Sequence, residues 1–260
     1  QIIWATPKLE YPFDRSGNYH FPDCKTIIFY EKLDGTNILS YHYFYKNSEF
    51  VTFKTRLTPI LKDQKFGMFK SMWLEYMNEN DWVNQVIEDN PSYNLSFEMF
   101  GSRNPITIMY DIPLEVNILF GVRRNDHVIR PPSELKLTTK CKSPISFNTI
   151  GMLYDGDLEK HYNSMREFMS SKNKDSLTIE GMVQYCHVGK PSWIMLKCKP
   201  EEIEKIHWTS SGFIPEKSLF NTALNVFESN DNPSIDNFIE LLKEEYPQEL
   251  ITKSYNKIEK

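Results

Sequence analysis

The sequence predicts a mixed α+β fold with mainly antiparallel strands up to about residue 200, followed by a short helical extension. Short runs rich in β-branched and aromatic residues recur through the first 200 positions, and such runs are typical of strands. Residues 62–88 instead carry apolar side chains at helical spacing. After Pro200 no strand-like run remains, so we expect one domain over 1–200 and a helical C-terminal extension over 201–260.

Each element is placed by its local pattern. Strand-like composition marks seven segments, which are 26–30, 37–45, 49–54, 92–100, 115–123, 177–184 and 192–198. Helical spacing marks 62–88 with a break near 78–80, then 158–170, 201–208, 218–229 and 235–246, with a weaker helix near the end. The segment Lys46-Asn47-Ser48 favours a hairpin turn, and residues 131–148 read as a polar connection.

Composition restricts the class of protein. No apolar run approaches the roughly 18 residues of a membrane span, and the first residues do not resemble a signal peptide. The four cysteines form no CxxC pair, which argues against a zinc site or a disulfide framework. We therefore expect no membrane association, a cytoplasmic or other intracellular location, and a monomer as the default. A net charge of −5 counts mildly against a nucleic-acid partner, although the local field matters more than the total.

One segment carries the first chemical signal, Glu31-Lys32-Leu33-Asp34-Gly35-Thr36-Asn37. It places a lysine at the end of a buried strand, followed by a turn and a second strand. Taken alone, the segment is explained equally well by a surface hairpin, because Asp-Gly is a favoured turn dipeptide.

Three later segments add charged residues at strand ends. Glu98 precedes Gly101 in FEMFG, Glu180 precedes Gly181 in EGMV, and Lys197 and Lys199 stand two apart in LKCK. Side chains two apart share one face of a strand. Each segment has an ordinary structural explanation by itself, but their order along the chain favours a shared function.

Lysine with Asp-Gly, then FExxG, EGxV and KxK, is the motif order of the covalent nucleotidyl transferases, and the sequence resembles that superfamily over about 4–199. The EKxxGTN form with Asn37 and the segment beginning at Arg56 (RLTPI) are similar to ATP-dependent RNA ligases of the T4 RNA ligase 2 type. Phe120 occupies the place of that group's adenine-stacking aromatic. The following position departs from the pattern, because this chain has Gly121 where the group has an acidic residue.

The resemblance implies a role for each of these residues. Lys32 would attack the α-phosphate of ATP to form lysyl-AMP, assisted by Lys197 and Lys199 and by Mg²⁺, or Mn²⁺, at Glu180. The nucleotide-binding set implied by the resemblance is Glu31, Lys32, Leu33, Asn37, Arg56, Glu98, Phe120, Glu180, Lys197 and Lys199. Within it, Glu98 would hold the ribose hydroxyls, and Arg56 and Asn37 would contact phosphate. Asp34 either positions the turn or binds metal.

The chemistry gives these roles a physical reason. An attacking lysine must be uncharged, and nearby cations or burial lower a lysine pKa. The two other lysines and a metal ion would exert this influence on Lys32. The same cations would stabilise charge on the phosphoryl oxygens in the transition state.

The resemblance predicts joining of RNA 3′-hydroxyl and 5′-phosphate ends, as in RNA repair, at nicked duplexes or strand breaks. An mRNA-capping guanylyltransferase or a DNA ligase uses the same lysine chemistry but normally carries a β-barrel module after this domain, whereas 201–260 reads as helical. A non-catalytic nucleic-acid-binding module that kept the fold is the remaining alternative.

Overall fold

The computed structural model describes residues 3–14, 17–24, 26–56, 58–63, 67–147, 157–174, 176–189, 193–200, 203, 214, 216–229, 232–246 and 248–258. The chain divides into two compact units, Gln1–Lys199 and Pro200–Lys260. The described part of the first unit contains two antiparallel sheets and three α-helices, and the described part of the second is helical. This is the expected α+β class with antiparallel sheets.

The strands of the first unit are β1 Thr26–Glu31, β2 Thr36–Tyr45, β3 Ser48–Thr55, β4 Tyr93–Phe100, β5 Glu115–Arg123, β6 Ile129–Arg130, β7 Ser146–Phe147, β8 Met182–His187 and β9 Trp193–Cys198. Its helices are α1 Phe69–Glu79, α2 Trp82–Asp89 and α3 Leu158–Lys172. One sheet has the order β7-β1-β8-β9 and the other β3-β2-β4-β5-β6. The sheets form the frame on which the candidate site is built.

Three clusters of buried side chains arrange this unit as helix, sheet, sheet and helix. Helices α1 and α2 cover the five-stranded sheet, for example through Trp73 against Phe97. Helix α3 covers the four-stranded sheet through Tyr162 and Met169. Between the two sheets, Phe120 of β5 belongs to one cluster with Tyr185 of β8. Strand alternation therefore turns one face of each sheet towards the other.

The second unit contains α4 Glu216–Ser229, α5 Ile235–Glu245 and α6 Gln248–Ile258. These agree with the helices expected over 218–229, 235–246 and near the end. Ser234 caps α5 in a capping box with Asn237, which explains why the helix begins where it does. The expected helix over 201–208 lies outside the described residues except for Ile203. In the described part of the chain no helix is both long and apolar enough to cross a membrane.

Two sequence expectations need correction. The strand expected from 177 begins only at Met182, because the Asn173 side chain accepts hydrogen bonds from the backbone N–H groups of Thr178 and Ile179. Those groups are therefore satisfied outside the sheet. The helix expected from 62 begins at Phe69 instead, while its predicted break is confirmed by the end of α1 at Glu79 and the start of α2 at Trp82.

Candidate active site

Lys32 lies immediately after β1, beside the start of β8. The antiparallel pairing sets Glu31 opposite Met182, and the backbone N–H of Lys32 donates to the carbonyl of Gly181 at 2.8 Å. The pairing register therefore brings the first and third sequence motifs together. Sequence order alone could not have determined this register.

Glu180 binds two lysines at once. Its Oε2 lies 2.8 Å from Nζ of Lys32, and its Oε1 lies 2.5 Å from Nζ of Lys199. The carboxylate is almost fully buried. Burial raises the pKa of Glu180, but the two ammonium groups lower it more, to about 2. The site thus holds a buried carboxylate that stays ionised because it is doubly paired.

The glycine after Glu180 allows this arrangement. A Cβ atom at Gly181 would lie 2.8 Å from the carbonyl oxygen of Cys198, which is closer than side chains approach backbone. Gly35, in the turn after Lys32, has the same constraint, because a Cβ there would overlap the carbonyl oxygen of Met99. Both motif glycines are therefore required by close packing of backbone.

The electrostatics around Lys32 differ from the sequence expectation. Burial lowers the pKa of Lys32, but the carboxylates of Glu180, Glu98 and Asp34 raise it, and the net direction is upward. The expectation that neighbouring cations keep this lysine uncharged is therefore wrong for the ligand-free protein. Here Lys32 is an ammonium ion paired with Glu180.

Lys197 of β9 is two residues before Lys199, which directly follows the strand, but it contacts a different part of the molecule. Its ammonium group lies 4.3 Å from the ring centroid of Tyr11, a cation–π distance. Its backbone N–H also donates to the carbonyl of Glu10. Tyr11 is a site neighbour that sequence reasoning missed, because no motif spacing marks the N-terminal segment.

Asn37 and Glu98 face each other on neighbouring strands of the other sheet, as register partners of β2 and β4. The Asn37 side-chain amide donates to Ser96 Oγ at 2.8 Å and, more weakly, to Glu98 at 3.5 Å, and its oxygen accepts from Thr6. These bonds occupy the amide, so Asn37 positions Glu98 in this structure, and the phosphate contact expected for it stays a prediction. Burial is the main reason that the pKa of Glu98 is raised to about 7.

Asp34 organises the loop after β4. Its Oδ2 accepts the backbone N–H of Ile108 at 2.7 Å and also that of Thr107. Its own N–H donates to the hydroxyl of Tyr110. Of the two roles left open by the sequence, this geometry favours positioning of the turn over metal binding.

Phe120 is buried between the sheets, beside Tyr185 and Trp193. The departure at Gly121 has a packing reason. A Cβ there would lie 2.9 Å from Leu135 Cδ2 and 3.0 Å from Tyr93 Cδ1. Neighbouring side chains thus occupy the space that an acidic side chain would need.

Three other expected site residues have no direct contact with Glu180 among the described interactions. Leu33 is buried, and Glu31 belongs to the face of β1 opposite Lys32 by strand alternation. Arg56 follows β3 with an exposed side chain. Within the described residues, no hydrogen bond or ion pair joins Arg56 to Lys32 or Glu180, so its role in the site stays a prediction.

The described residues contain no group of three or more His, Cys, Asp or Glu side chains that could hold a metal ion. Of the buried carboxylates around Lys32, which are Glu180, Glu98 and Asp34, Glu180 is the one that pairs directly with the candidate nucleophile. Mg²⁺ is commonly bound by one or two carboxylates together with substrate phosphates and water. The donor set therefore fits a cation that arrives with a nucleotide, and does not fit an all-protein metal cage.

No protein-family model and no curated protein matches the sequence. Solved structures do match. One is an archaeal ATP-dependent RNA ligase, form 2, with a TM-score of 0.54 and 13% identity over 97% of this chain and 64% of that chain. Its form 1 gives a TM-score of 0.53 and 14% identity over 98% and 65%.

A Naegleria gruberi RNA ligase mutant with ATP and Mn gives a TM-score of 0.44 and 14% identity over 69% of this chain and 50% of that chain. The two archaeal similarities show that the chain has the α+β fold of those ATP-dependent RNA ligase structures. The chain spans slightly less than two thirds of their length.

Proposed function

We propose that the protein is an ATP-dependent RNA ligase that carries AMP on Lys32. The observation that carries this proposal is the buried Glu180 carboxylate held between Lys32 and Lys199. Two lysines and a carboxylate from three separated motifs meet within the first unit. Burying three charged groups is costly unless they are paired or used, and chemistry on a charged substrate would use them.

In the first step, the neutral amine of Lys32 attacks the α-phosphorus of ATP. A phosphorus–nitrogen bond forms, the bond from the α-phosphorus to its bridging oxygen breaks, and pyrophosphate leaves with that oxygen. The amine proton passes to solvent. Lys199 and Lys197 supply positive charge for the phosphoryl oxygens.

Two further steps would join the strands. A 5′-phosphate oxygen of the RNA attacks the AMP phosphorus. The phosphorus–nitrogen bond to Lys32 breaks, and the nitrogen takes up a proton from solvent as it leaves as the amine. The 3′-hydroxyl then attacks the 5′-phosphate, and AMP leaves. Arg56 is suited to hold phosphate oxygens through its planar fork.

The amine must first lose its proton and its partner. A divalent cation at Glu180, Mg²⁺ or Mn²⁺, would neutralise the carboxylate that now holds the Lys32 ammonium group and would stabilise charge on the phosphates. Burial, which already favours the neutral amine, would then dominate. Glu98 would accept hydrogen bonds from the ribose hydroxyls, and Phe120 would pack against the adenine from the interior between the sheets.

RNA ligation is favoured over the two alternatives that share the lysine chemistry. The described residues after Pro200 are helical, whereas capping enzymes and DNA ligases normally place a β-barrel directly after this domain. The archaeal structures with the same fold are ATP-dependent RNA ligases. RNA is therefore the proposed partner, at a nick or another strand break.

The test is transfer of label from nucleotide to protein. The full chain is incubated with α-³²P-ATP or α-³²P-GTP and Mg²⁺ and then separated under denaturing conditions. We expect label from ATP in the wild type and none in Lys32→Ala. Lys70→Ala, which removes an exposed lysine of α1, is the matched control and should label normally.

The outcomes separate the hypotheses. Labelling by GTP alone would replace the proposal with a capping-type guanylyltransferase. Absence of label with both nucleotides would favour a non-catalytic binding module. Labelling by ATP followed by sealing of DNA breaks but not RNA breaks would identify a DNA ligase.

A further inference from the structure

The β2–β3 hairpin extends beyond the rest of its sheet. Strand β2 pairs with β4 only from Thr36 to Leu39, but it pairs with β3 as far as Tyr45 opposite Ser48. Lys46 and Asn47 both have positive φ, as in the two-residue turn that favours a twisted hairpin. Among the described residues, no third strand therefore pairs with the outer half of this hairpin.

One face of the hairpin carries a row of aromatic rings, here called the aromatic track, which consists of Tyr41, Tyr43, Tyr45 and Phe50. Residues 37, 39, 41, 43 and 45 share one face of β2, because side chains alternate along a strand. Phe50 lies on the same face as the register partner of Tyr43. The track is therefore continuous with Asn37, and so with the face of the sheet that carries Glu98.

The rings are arranged in sequence along the hairpin. Tyr41 and Tyr43 have centroids 6.3 Å apart, and Tyr43 stacks on Phe50 at 5.5 Å. Tyr41 is buried at the inner end, while Tyr45 and Phe50 are 59% and 42% exposed at the outer end. Large exposed rings grouped on one surface mark an interaction site more often than single ones do.

The charged side chains that the hairpin itself places on this face are all basic. By strand alternation from Phe50, Lys54 lies on this face, and Arg56 follows in the same series just beyond the strand. In the turn, Lys46 places its ammonium group 5.3 Å from the ring centroid of Tyr45. Within β2 and β3 this face has no acidic side chain. The one carboxylate of β3, Glu49, belongs to the opposite face, where it pairs with Arg124.

We propose that the aromatic track binds unpaired nucleotides of the RNA next to the strand break. Rings at successive positions offer stacking surfaces for bases, and lysine and arginine beside them match the phosphates. A paired strand has its base faces already stacked in the helix, so only unpaired nucleotides can use the rings. About eight residues of strand separate Asn37 from Tyr45, a span of roughly 26 Å that would accommodate several nucleotides.

This inference rests on the proposed RNA ligase function and names its substrate class. The enzyme would act on ends that carry an unpaired segment, and a fully paired nick would leave the track unused. Arg56, which is exposed just beyond the end of β3, would then contact the RNA backbone at the inner end of the track.

The hairpin itself provides a matched control. Phe44 is 58% exposed and Val51 is 42% exposed, almost equal to Tyr45 and Phe50, but they lie on the opposite face. The experiment compares Tyr45→Ala/Phe50→Ala with Phe44→Ala/Val51→Ala by fluorescence anisotropy. The probes are a labelled single-stranded oligouridylate of about 12 nucleotides and an RNA duplex of the same length. The full chain is used without ATP, and thermal unfolding checks that each variant is folded.

We expect the track variant to bind the single strand about tenfold or more weakly, with the control near wild type and duplex binding little changed. Tyr45→Phe/Phe50→Tyr should keep the affinity, because it keeps both rings. Equal losses in both variants, an equal loss for the duplex, or no loss at all would overturn the proposal.

Labelling of Lys32 by ATP is measured on the same variants and should be unchanged. A protein that binds the single strand through the track but never accepts label would refute the ligase function and leave the track as an RNA-binding surface. A protein that accepts label but binds the single strand equally well without the track would refute only this inference.

Discussion

Removing the charge of Glu180 should destabilise the protein by an amount that depends on pH. In the folded protein Lys32 and Lys199 lower the pKa of this buried carboxyl to about 2, compared with an ordinary value of 4.5. One pKa unit corresponds to about 1.4 kcal/mol, so the pairing stabilises the folded state by about 3 kcal/mol near neutral pH. Glu180→Gln should lower the free energy of unfolding by about that amount, since it leaves two ammonium groups without their shared partner.

The pH dependence follows from the direction of the shift. Because the folded-state pKa is depressed, the stabilisation is complete above the unfolded-state pKa and is lost as pH falls towards 2. The deficit of the variant should therefore shrink to roughly half its neutral-pH value at about pH 3. Urea unfolding of both proteins at about pH 7 and about pH 3 measures the two deficits.

Glu159→Gln is the control. It is the same chemical substitution as Glu180→Gln, but at an exposed position in the first turn of α3. It should alter the free energy of unfolding by less than about 0.5 kcal/mol at either pH. An equal stability of Glu180→Gln and wild type at neutral pH, or a deficit that does not change with pH, would refute the reasoning.

Three further predictions concern the neighbours of this carboxylate. The pKa of Glu98 is raised to about 7, so ionisation of this buried group lowers the stability of the wild type as pH rises from 4.5 to 7. In urea unfolding, the stabilisation by Glu98→Gln should therefore be larger at about pH 8.5 than at about pH 4.5, by up to about 3 kcal/mol. Gly181→Ala would force a Cβ against the carbonyl of Cys198, so we expect a loss of about 1–3 kcal/mol in the same assay and weaker labelling by ATP. Asp34→Ala leaves two loop amides without an acceptor, so the free energy of unfolding should fall by about 2–4 kcal/mol and amide hydrogen exchange in that loop should increase. Asp34→Asn keeps an acceptor oxygen and should recover part of this loss.

Most elements of the fold follow from local pattern. The alternation and β-branched content of 26–30 and 115–123 predict strands that the structure confirms as β1 and β5. The helix pair α1 and α2 and its break near Asn80 were equally readable from apolar spacing. Local pattern failed at 177–181, where the side chain of Asn173 satisfies the backbone in place of a neighbouring strand. Because Asn173 lies outside the segment, the composition of 177–181 could not show that these residues stay out of the sheet.

The candidate site shows the same division. The order of the motifs along the chain identified Lys32, Glu180 and Lys199, because residue types and their spacing within a motif can be recognised without the structure. It did not reveal Tyr11 beside Lys197 or the loop amides bound by Asp34, because these partners come from segments without a motif. It also misjudged the charge state of Lys32, which depends on the carboxylates that folding brings around it.

The sequence by itself therefore determined the α+β class, the order of the motifs and the residue types available for chemistry. Only the tertiary structure decided which of them meet. The β1–β8 register set Lys32 against Glu180, and the β2–β4 register set Asn37 against Glu98. The physical reason is that burial and charge pairing depend on distances between side chains. Hydrogen-bonded pairing of strands within each sheet sets those distances, whatever the separation of the residues along the chain.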